Sequence, residues 1–521
     1  MASKGRTAFR VAVFAVAIGA LAWKQFHPSQ PPAEASAATA TDTPAAPAAP
    51  ARPRTWRLGR LTLTACELGQ PNSGLSAAAW CAPFEVAENR ADPHGRRIRL
   101  KLAVVRSQAQ VPAKDMLVLL AGGPGQAATE TWPQVAPALQ PLLAHRNVLL
   151  LDQRGTGGSN PLDCKAPDGA EGDAAFDPAK LREETAQCLK EVEARADPRY
   201  YTTTVAVQDL EEARQALGAP GLDLVGISYG TRVAQQYAMR HPDAVRSLVL
   251  DGVAPNGLVL GEDFARNLDD ALKAQFARCT AEPECKARFG DPYQTLYQLR
   301  DALRANPHKV SFRDPQTYQS VQRTLSEASL ASVVRMFAYS PLTAALLPLS
   351  IDAAAHGDVG PLLGQAKLLS GDLSDTMNGG MQSSVICSED ADLLTPRPQD
   401  AATILGTRMI DALQAVCSVW PKGARPVDFH QPLRSPVPAL LLSGQYDPVT
   451  PPRYGEEVLG GLPNGRHLVL KGQGHNVIGA GCAPELVKRF IEDLEPRKLD
   501  ASCLDRLQPT PPFIDFNGAT P

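Results

Sequence analysis

The chain has 521 residues, of which 44% are hydrophobic, and this is enough for one large core or for two domains. Its formal net charge of −3 comes from interspersed acidic and basic residues, and no basic run is long enough to attract nucleic acid or an anionic membrane. Length and charge therefore exclude a small scaffold and a nucleic-acid-binding protein.

The N-terminus has the pattern of an export signal. Basic residues in the first ten positions precede an uncharged, mostly apolar run at residues 11–23, which is too short to span a bilayer comfortably but fits a secretory signal. The Ala-Leu-Ala sequence at 20–22 is a plausible cleavage site. We predict a signal peptide or an uncleaved anchor over residues 1–27, and an Ala/Pro-rich linker over residues 28–55.

The cysteines occur along the chain as neighbouring pairs. An even count of 10 in an exported protein favours disulfides, and no Cys-x-x-Cys pair or Cys/His cluster indicates a metal site. Neighbour pairing is a hypothesis, because the sequence alone does not determine connectivity. Each bond would contribute on the order of 3 kcal/mol in the chain-entropy model. The predicted pairs are Cys66/Cys81, Cys164/Cys188, Cys279/Cys285, Cys387/Cys417 and Cys482/Cys503.

The first part of the predicted core, residues 56–254, contains two kinds of strand pattern. Alternating stretches at 60–64 and 98–104 predict half-buried antiparallel strands that form a hairpin or an edge. Continuous apolar runs predict strands that are buried on both faces, several of which end in glycine-rich turns. These runs lie at residues 116–120, 148–151, 222–225 and 248–250.

One of these runs leads into a Gly-x-Ser-x-Gly turn followed by a helical pattern, which is typical of a nucleophile elbow. Ser228 would stand on a tight strand-to-helix turn. We expect Gly226 and Gly230 to be required because a Cβ there would strike the neighbouring helix or strand. The N–H group of Tyr229 would donate to an oxyanion beside Ser228. The alternative is a glycine-rich surface turn.

Buried strands that alternate with helices predict a parallel, doubly wound sheet, whose reactive loops gather at the carboxyl ends of its strands. The apolar runs that predict strands stop at about residue 255. Helical patterns over 255–434 predict an inserted, mostly helical cap. The strand pattern resumes in the second part of the core, residues 435–500. A proline-rich tail at 501–521 completes the chain.

A nucleophilic serine needs a base, and the base needs an acid that fixes its tautomer. Asp447 lies just past a resumed strand, and His475, preceded by glycines, follows the next strand. The order Ser228, Asp447, His475 is the one expected of an α/β-hydrolase. Asp251 also ends a strand and is the alternative acid, unless it is a turn or helix-capping carboxylate. The glycine-rich loop after the first buried run supplies Gly123 N–H as the second candidate oxyanion donor.

Several motifs, taken together, resemble those of a known family. They lie at residues 122–125, 152–159, 226–230, 446–451 and 474–475. In combination they resemble the proline iminopeptidase and tripeptidyl aminopeptidase-like serine peptidases of the α/β-hydrolase fold. The chain departs at Ala121, where proline iminopeptidases carry histidine. This departure and the cysteine-containing stretches at 387–390 and 417–421 bring it closer to the secreted tripeptidyl branch.

The resemblance implies an exported, periplasmic or extracellular serine exopeptidase that releases short N-terminal pieces from peptides with a free N-terminus. It implies a doubly wound, mostly parallel sheet with a helical cap, an acyl-enzyme and no cofactor. In such an enzyme a carboxylate must hold the substrate amine, and Glu389 and Asp390 are the candidates. The alternative is that these two acids are solvated or structural. Asp152 and Arg154 are interpreted as a loop-stabilising ion pair, the alternative being that they touch the substrate site. Membrane association is expected only if the N-terminal segment stays uncleaved, and the oligomeric state is not indicated.

Two rival functions stay open at this point. A secreted carboxylesterase or other acyl hydrolase would use the same triad and oxyanion donors, because these serve esters and amides alike. A catalytically silent binding protein could keep the fold as a docking platform, although the complete set of motifs argues against it.

Overall fold

The computed structural model describes residues 54–69, 74–163, 177–315 and 317–517, and for residues 368–375 it describes only the backbone. The predicted signal or anchor, and the linker up to residue 53, therefore lie outside the described residues. Among the described helices, none has the length and apolar character needed to cross a membrane.

A ten-stranded sheet forms the centre of the described chain, in the order β1-β2-β3-β4-β6-β5-β7-β8-β11-β12. The strands β1 to β4 and the pair β4 with β6 are antiparallel, whereas β6, β5, β7, β8, β11 and β12 are mutually parallel. Two further strands, β9 and β10, pair separately. The bounds are β1 (Thr55–Leu58), β2 (Leu61–Gly69), β3 (Ser76–Ala87), β4 (Arg97–Val105), β5 (Met116–Leu120), β6 (Asn147–Leu151), β7 (Leu222–Ile227), β8 (Val245–Asp251), β9 (His308–Arg313), β10 (Ser320–Leu325), β11 (Ala439–Gly444) and β12 (Gly465–Leu470).

Helices cover both faces of this sheet and also fill the segment between β8 and β11. They are α1 (Ala128–Leu139), α2 (Pro178–Glu193), α3 (Thr203–Leu217), α4 (Tyr229–Arg240), α5 (Phe264–Ala281), α6 (Pro283–Phe289), α7 (Pro292–Ala305), α8 (Glu327–Phe337), α9 (Pro341–Ala355), α10 (Gly360–Thr376), α11 (Gly379–Glu389), α12 (Arg408–Cys417), α13 (Pro452–Leu459) and α14 (Ala483–Asp493).

The parallel strands inside the sheet are buried on both faces, as their continuous apolar runs predict, whereas the edge strand β12 is only partly buried. In β5, Met116 and Val118 pack in one hydrophobic cluster, while the alternating Leu117 and Leu119 pack in the other. Helices α3, α4 and α13 contribute to the first cluster, and α1 and α14 contribute to the second. Because side chains along a strand alternate between faces, each strand is sandwiched between helices. The prediction of a doubly wound, mostly parallel sheet is confirmed.

The predicted antiparallel strands are present, but they are not direct partners. β3 lies between β2 and β4 and pairs with both. Its sequence runs through several alanines and Pro83 and has no regular alternation of polar and apolar residues, so the pattern did not reveal it. A disulfide between Cys66 in β2 and Cys81 in β3 joins the two strands.

The segment between β8 and β11 is mostly helical and has its own hydrophobic cluster, which includes Phe276, Leu296 and Leu347. It also contains the hairpin of β9 and β10, which the sequence did not predict. Most side chains of this hairpin are exposed or half-buried, so the strands show no continuous apolar run. The limits of this segment as a separate cap domain, residues 255 and 434, stay predictions.

Disulfide bonds between neighbouring cysteines are confirmed for the pairs whose two members are described. They are Cys66–Cys81, Cys279–Cys285, Cys387–Cys417 and Cys482–Cys503. Cys164 lies outside the described residues, so its pairing with Cys188 stays a prediction. The bond of Cys387 joins the end of α11 to the end of α12 and so ties together two helices of the inserted segment.

Candidate active site

Ser228 stands at the junction of β7 and α4 in a strained backbone conformation. Its φ of 56° and ψ of −122° are values that a residue with a side chain rarely adopts. A Cβ at Gly226 would lie 2.5 Å from the carbonyl oxygen of Gly230, and a Cβ at Gly230 would lie 2.0 Å from that of Leu120. The predicted need for both glycines is confirmed, because the turn packs against its neighbours without room for a side chain.

His475 and Asp447 are in direct contact. Nδ1 of His475 lies 2.7 Å from Oδ2 of Asp447, and both side chains are buried. Oδ1 of Asp447 accepts the N–H groups of Val449 and Thr450 at 2.9 and 2.8 Å. With one oxygen held by the backbone, the other is directed at the imidazole. The contact fixes which ring nitrogen carries the proton and leaves Nε2 free to act as a base.

Thr450 belongs to this arrangement, although the sequence reasoning did not single it out. Its hydroxyl donates to Oδ2 of Asp447 at 3.0 Å and lies 3.2 Å from Nδ1 of His475. A threonine three residues after a candidate acid, in a turn that starts with that acid, was the available signal.

The end of β8 joins the serine and histidine segments. The N–H group of Ser228 donates to the carbonyl oxygen of Asp251 at 2.8 Å. At the next residue, Gly252, a Cβ would lie 3.0 Å from Cε1 of His475. The N–H group of Gly252 in turn donates to Leu442 of β11, the strand that leads to the acid. The structure therefore brings the segments of all three predicted triad residues together around one strand end.

The candidate oxyanion donors also lie beside Ser228. A Cβ at Gly122 would be 3.3 Å from the Cβ of Ser228, so the loop that contains Gly123 passes next to the serine. Tyr229 is the first residue of α4, where an N–H group has no acceptor within the helix. The loop that contains Gly123 and the first turn of α4 therefore both lie next to Ser228, as the predicted pair of oxyanion donors requires.

The inserted segment contacts the loops on both sides of the serine. The carbonyl oxygen of Tyr339 accepts the N–H group of His475 at 2.8 Å, and its ring meets the imidazole edge-on at 5.2 Å between centroids. On the other side, the backbone and side-chain N–H groups of Asn378 each donate to the carbonyl oxygen of Gly125 at 3.0 Å. The neighbouring Met377 sulfur would lie 3.1 Å from a Cβ at Gly125. These contacts place the inserted segment against the loops that flank Ser228.

Glu389 and Asp390, the predicted amine ligands, are both buried and already partnered. The carboxylate of Glu389 accepts the N–H and hydroxyl groups of Thr203 at 2.6 and 2.9 Å. Asp390 forms a fully buried ion pair with Arg232 at 2.9 Å. Burial, helped by the charge of Asp390, raises the pKa of Glu389 to about 8. Their role as amine ligands stays a prediction, and it would require substrate to compete with these partners.

The predicted ion pair between Asp152 and Arg154 is wrong. Arg154 pairs instead with Asp209, at 2.6 Å from Nε to Oδ2. Asp152 accepts the N–H groups of Thr129 and Gly158 at 2.8 and 3.1 Å. Both side chains are buried, so each needs a partner. Arg154 finds it on α3, and Asp152 finds its partners on α1 and further along its own loop.

Ser228 on its turn, the paired His475 and Asp447, and the backbone segments beside them have the residue types that acyl transfer through a covalent serine intermediate requires. In the described part of the chain, no group of three or more His, Cys, Asp or Glu side chains is placed to hold a metal ion.

The chain is similar to several known proteins. A family model described as alpha/beta hydrolase fold matches residues 115–479. Serine protease Hip1 of Mycobacterium tuberculosis is 25% identical over 465 residues, covering 82% of this chain and 88% of that protein. Tripeptidyl aminopeptidase of Streptomyces lividans is 29% identical over 196 residues, covering 33% and 35%. Among solved structures, proline iminopeptidase from Mycobacterium smegmatis is 15% identical with a TM-score of 0.37, covering 80% of this chain and 99% of that one.

Proposed function

Because the chain belongs to the alpha/beta hydrolase fold family, we propose that it is a serine exopeptidase that releases short N-terminal pieces from peptides with a free N-terminus. The coarser description, a serine hydrolase or peptidase of this fold, follows from the family and from relatives such as Hip1. The finer one is supported by the likeness to tripeptidyl aminopeptidase and to a probable proline iminopeptidase of Streptomyces coelicolor.

The observation that carries the proposal is the 2.7 Å contact between His475 and Asp447 at the strand end that also anchors Ser228. In the proposed reaction, Ser228 Oγ attacks the scissile carbonyl carbon while His475 takes its proton, and Asp447 stabilises the imidazolium that forms. His475 then gives the proton to the leaving amine, and water hydrolyses the acyl-enzyme by the same steps.

The N–H groups of Gly123 and Tyr229 are proposed to bind the oxyanion of the tetrahedral intermediate. Losing one such donor typically costs roughly 3 kcal/mol in the activation barrier. We propose that the inserted segment limits access to this point, because its Tyr339 and Asn378 contact the histidine loop and the glycine-rich loop. A narrowed approach supports action on chain ends rather than in the middle of a folded substrate.

Export is supported by two observations of different kinds. The described residues include disulfide bonds, which persist in oxidising compartments. The N-terminal residues have the composition of a secretory signal. We propose a periplasmic or extracellular location, with tethering to a membrane only if residues 1–27 remain uncleaved.

The proposal is tested with three substrate sets on the wild type and on Ser228→Ala. They are chromogenic peptides of one to three residues with a free amine, the same peptides with an acetylated amine, and a short acyl ester. We expect the wild type to cleave the free-amine peptides and to leave the acetylated ones intact. Turnover of the ester alone would instead indicate a carboxylesterase, and no turnover of any substrate would indicate a binding protein.

Activity should be lost as pH falls through the pKa of His475. Burial lowers this pKa, but the charge and hydrogen bond of Asp447 and the charge of Asp251 outweigh burial, so it is raised above the ordinary value of 6.5. A base acts only when it is unprotonated, so kcat/KM is expected to reach a plateau above the raised pKa and to fall about tenfold per pH unit below it. The measurement is kcat/KM from about pH 5 to about pH 9. A rate that stays constant into strongly acid solution would contradict a histidine base.

A further inference from the structure

Asp251 is a buried carboxylate to which the proposed reaction gives no part. It ends β8 and is fully buried. Its carboxylate accepts the N–H group of Val477, which lies 2.9 Å from both oxygens, and the N–H group of Ile478 at 2.8 Å from Oδ2. Asn476, which separates His475 from Val477, has a φ of 66° in the left-handed region. The carboxylate therefore holds a strained turn that begins at the imidazole-bearing residue.

The main chain of the same residue holds the nucleophile. The carbonyl oxygen of Asp251 accepts the N–H group of Ser228 at 2.8 Å. One residue thus bonds the serine turn through its backbone and the histidine turn through its side chain. Nδ1 of His475 is bound by Asp447, and the oxygens of Asp251 are held by the N–H groups of Val477 and Ile478, so the geometry does not support Asp251 as the triad acid.

We propose that Asp251 is a positioning residue that fixes His475 relative to Ser228 and adds a second negative charge behind the imidazole. The inference rests on the proposed catalytic roles of Ser228 and His475. A positioned charge matters because the imidazolium that forms during the reaction is stabilised by it, and because small displacements of a base reduce its rate steeply.

In the described part of the chain, the two charged groups that act on the imidazole come from two elements: Asp447 lies on the loop after β11, and Asp251 lies at the end of β8. The ring of Tyr339 and the hydroxyl of Thr450 also lie beside the imidazole. The negative charge of Asp251 raises the pKa of His475, as the charge of Asp447 does. Burial raises the pKa of Asp251 to about 6, against the opposing effect of its backbone hydrogen bonds, so the group is ionised at neutral pH.

The test uses the rate at which a fluorophosphonate labels Ser228 in the full chain, because this reaction needs the activated serine but no peptide substrate. Asp251→Asn keeps the size of the side chain, removes the charge and turns one acceptor into a donor. We expect labelling at neutral pH to slow by about tenfold or more. The midpoint of the acid limb should move to lower pH by about one unit, because His475 loses a stabilising charge. A role confined to stability would lower the melting temperature without moving this midpoint.

Asp223→Asn is the matched control. Asp223 is a fully buried carboxylate near the opposite end of neighbouring β7, where it binds Ser247 and Arg246. Its substitution is expected to lower the melting temperature and to leave the labelling midpoint unchanged. If Asp251→Asn does not fold, Asp251→Glu tests the inference, because it keeps the charge but displaces the acceptor oxygens. We expect Asp251→Glu to be labelled slowly, with a pH midpoint near that of the wild type.

A wild-type rate or an unmoved midpoint in Asp251→Asn would overturn the inference, and so would a wild-type rate in Asp251→Glu. A wild type that is not labelled at all would overturn the proposed serine mechanism, and this inference with it. The two failures are distinguishable, because the first requires a labelled wild type.

Discussion

Replacing Ser228 with alanine should abolish turnover of every substrate and all labelling by fluorophosphonate. Members of a serine triad act as a unit, so removal of the nucleophile is expected to lower kcat by about a million-fold. Alanine keeps a Cβ and accepts the same backbone as serine, so the turn at φ 56° is retained and the melting temperature should change little. The checks are kcat with the best substrate, the site of labelling by mass spectrometry, and a thermal melt.

A second serine, which contacts a histidine that in turn contacts a glutamate, provides a matched control. The hydroxyl of Ser443 lies 2.9 Å from Nε2 of His467, whose Nδ1 lies 2.6 Å from Oε1 of Glu456. Ser443, however, is fully buried inside β11 and is not on a strand-to-helix turn. We expect Ser443→Ala to retain labelling and turnover. Labelling that persists in Ser228→Ala and disappears in Ser443→Ala would contradict the assignment of the nucleophile.

The Ser228 site and the Ser443–His467–Glu456 contacts together show what the sequence could and could not predict. The Gly-x-Ser-x-Gly turn marked Ser228 because the steric need for glycine at close contacts leaves a trace in the sequence. The strand ends before Asp447 and His475 were also visible, because β11 is a continuous apolar run that is buried on both faces and the edge strand β12 ends in the apolar residues 468–470. The contact of His467 with Ser443 left no comparable trace, since it depends on the pairing of β11 with β12.

Contacts between distant segments were the part that could not be predicted. Tyr339 of the inserted segment bonds the backbone of His475, and nothing in the local sequence of either residue indicates it. The adjacent acids Glu389 and Asp390 have the local pattern of a solvated face, yet Arg232 of α4 makes burial of Asp390 possible by pairing with it. Which residues become partners depends on tertiary packing, and this cannot be read from a single sequence.

Asp447→Asn should lower kcat by about ten-thousandfold with little change in KM. An amide cannot hold the proton on Nδ1 of His475 as a carboxylate does, so the ring is expected to adopt the tautomer that cannot accept the serine proton. Oδ1 of the residue also accepts the N–H groups of Val449 and Thr450, and the amide oxygen can keep these bonds, so the fold should persist. The measurement is kcat and KM beside the melting temperature.

Asp251→Asn provides the comparison that identifies the acid. Both carboxylates are buried near His475, and sequence reasoning left either of them open as the triad acid. Asp447 contacts Nδ1 of His475, whereas Asp251 binds the N–H groups of Val477 and Ile478. The decrease in kcat caused by Asp447→Asn should therefore exceed the decrease caused by Asp251→Asn by roughly a hundredfold or more. The reverse order would mean that Asp251 fixes the tautomer during turnover. The assignment of Asp447 depends on that order, because burial and charge alone do not separate the two residues.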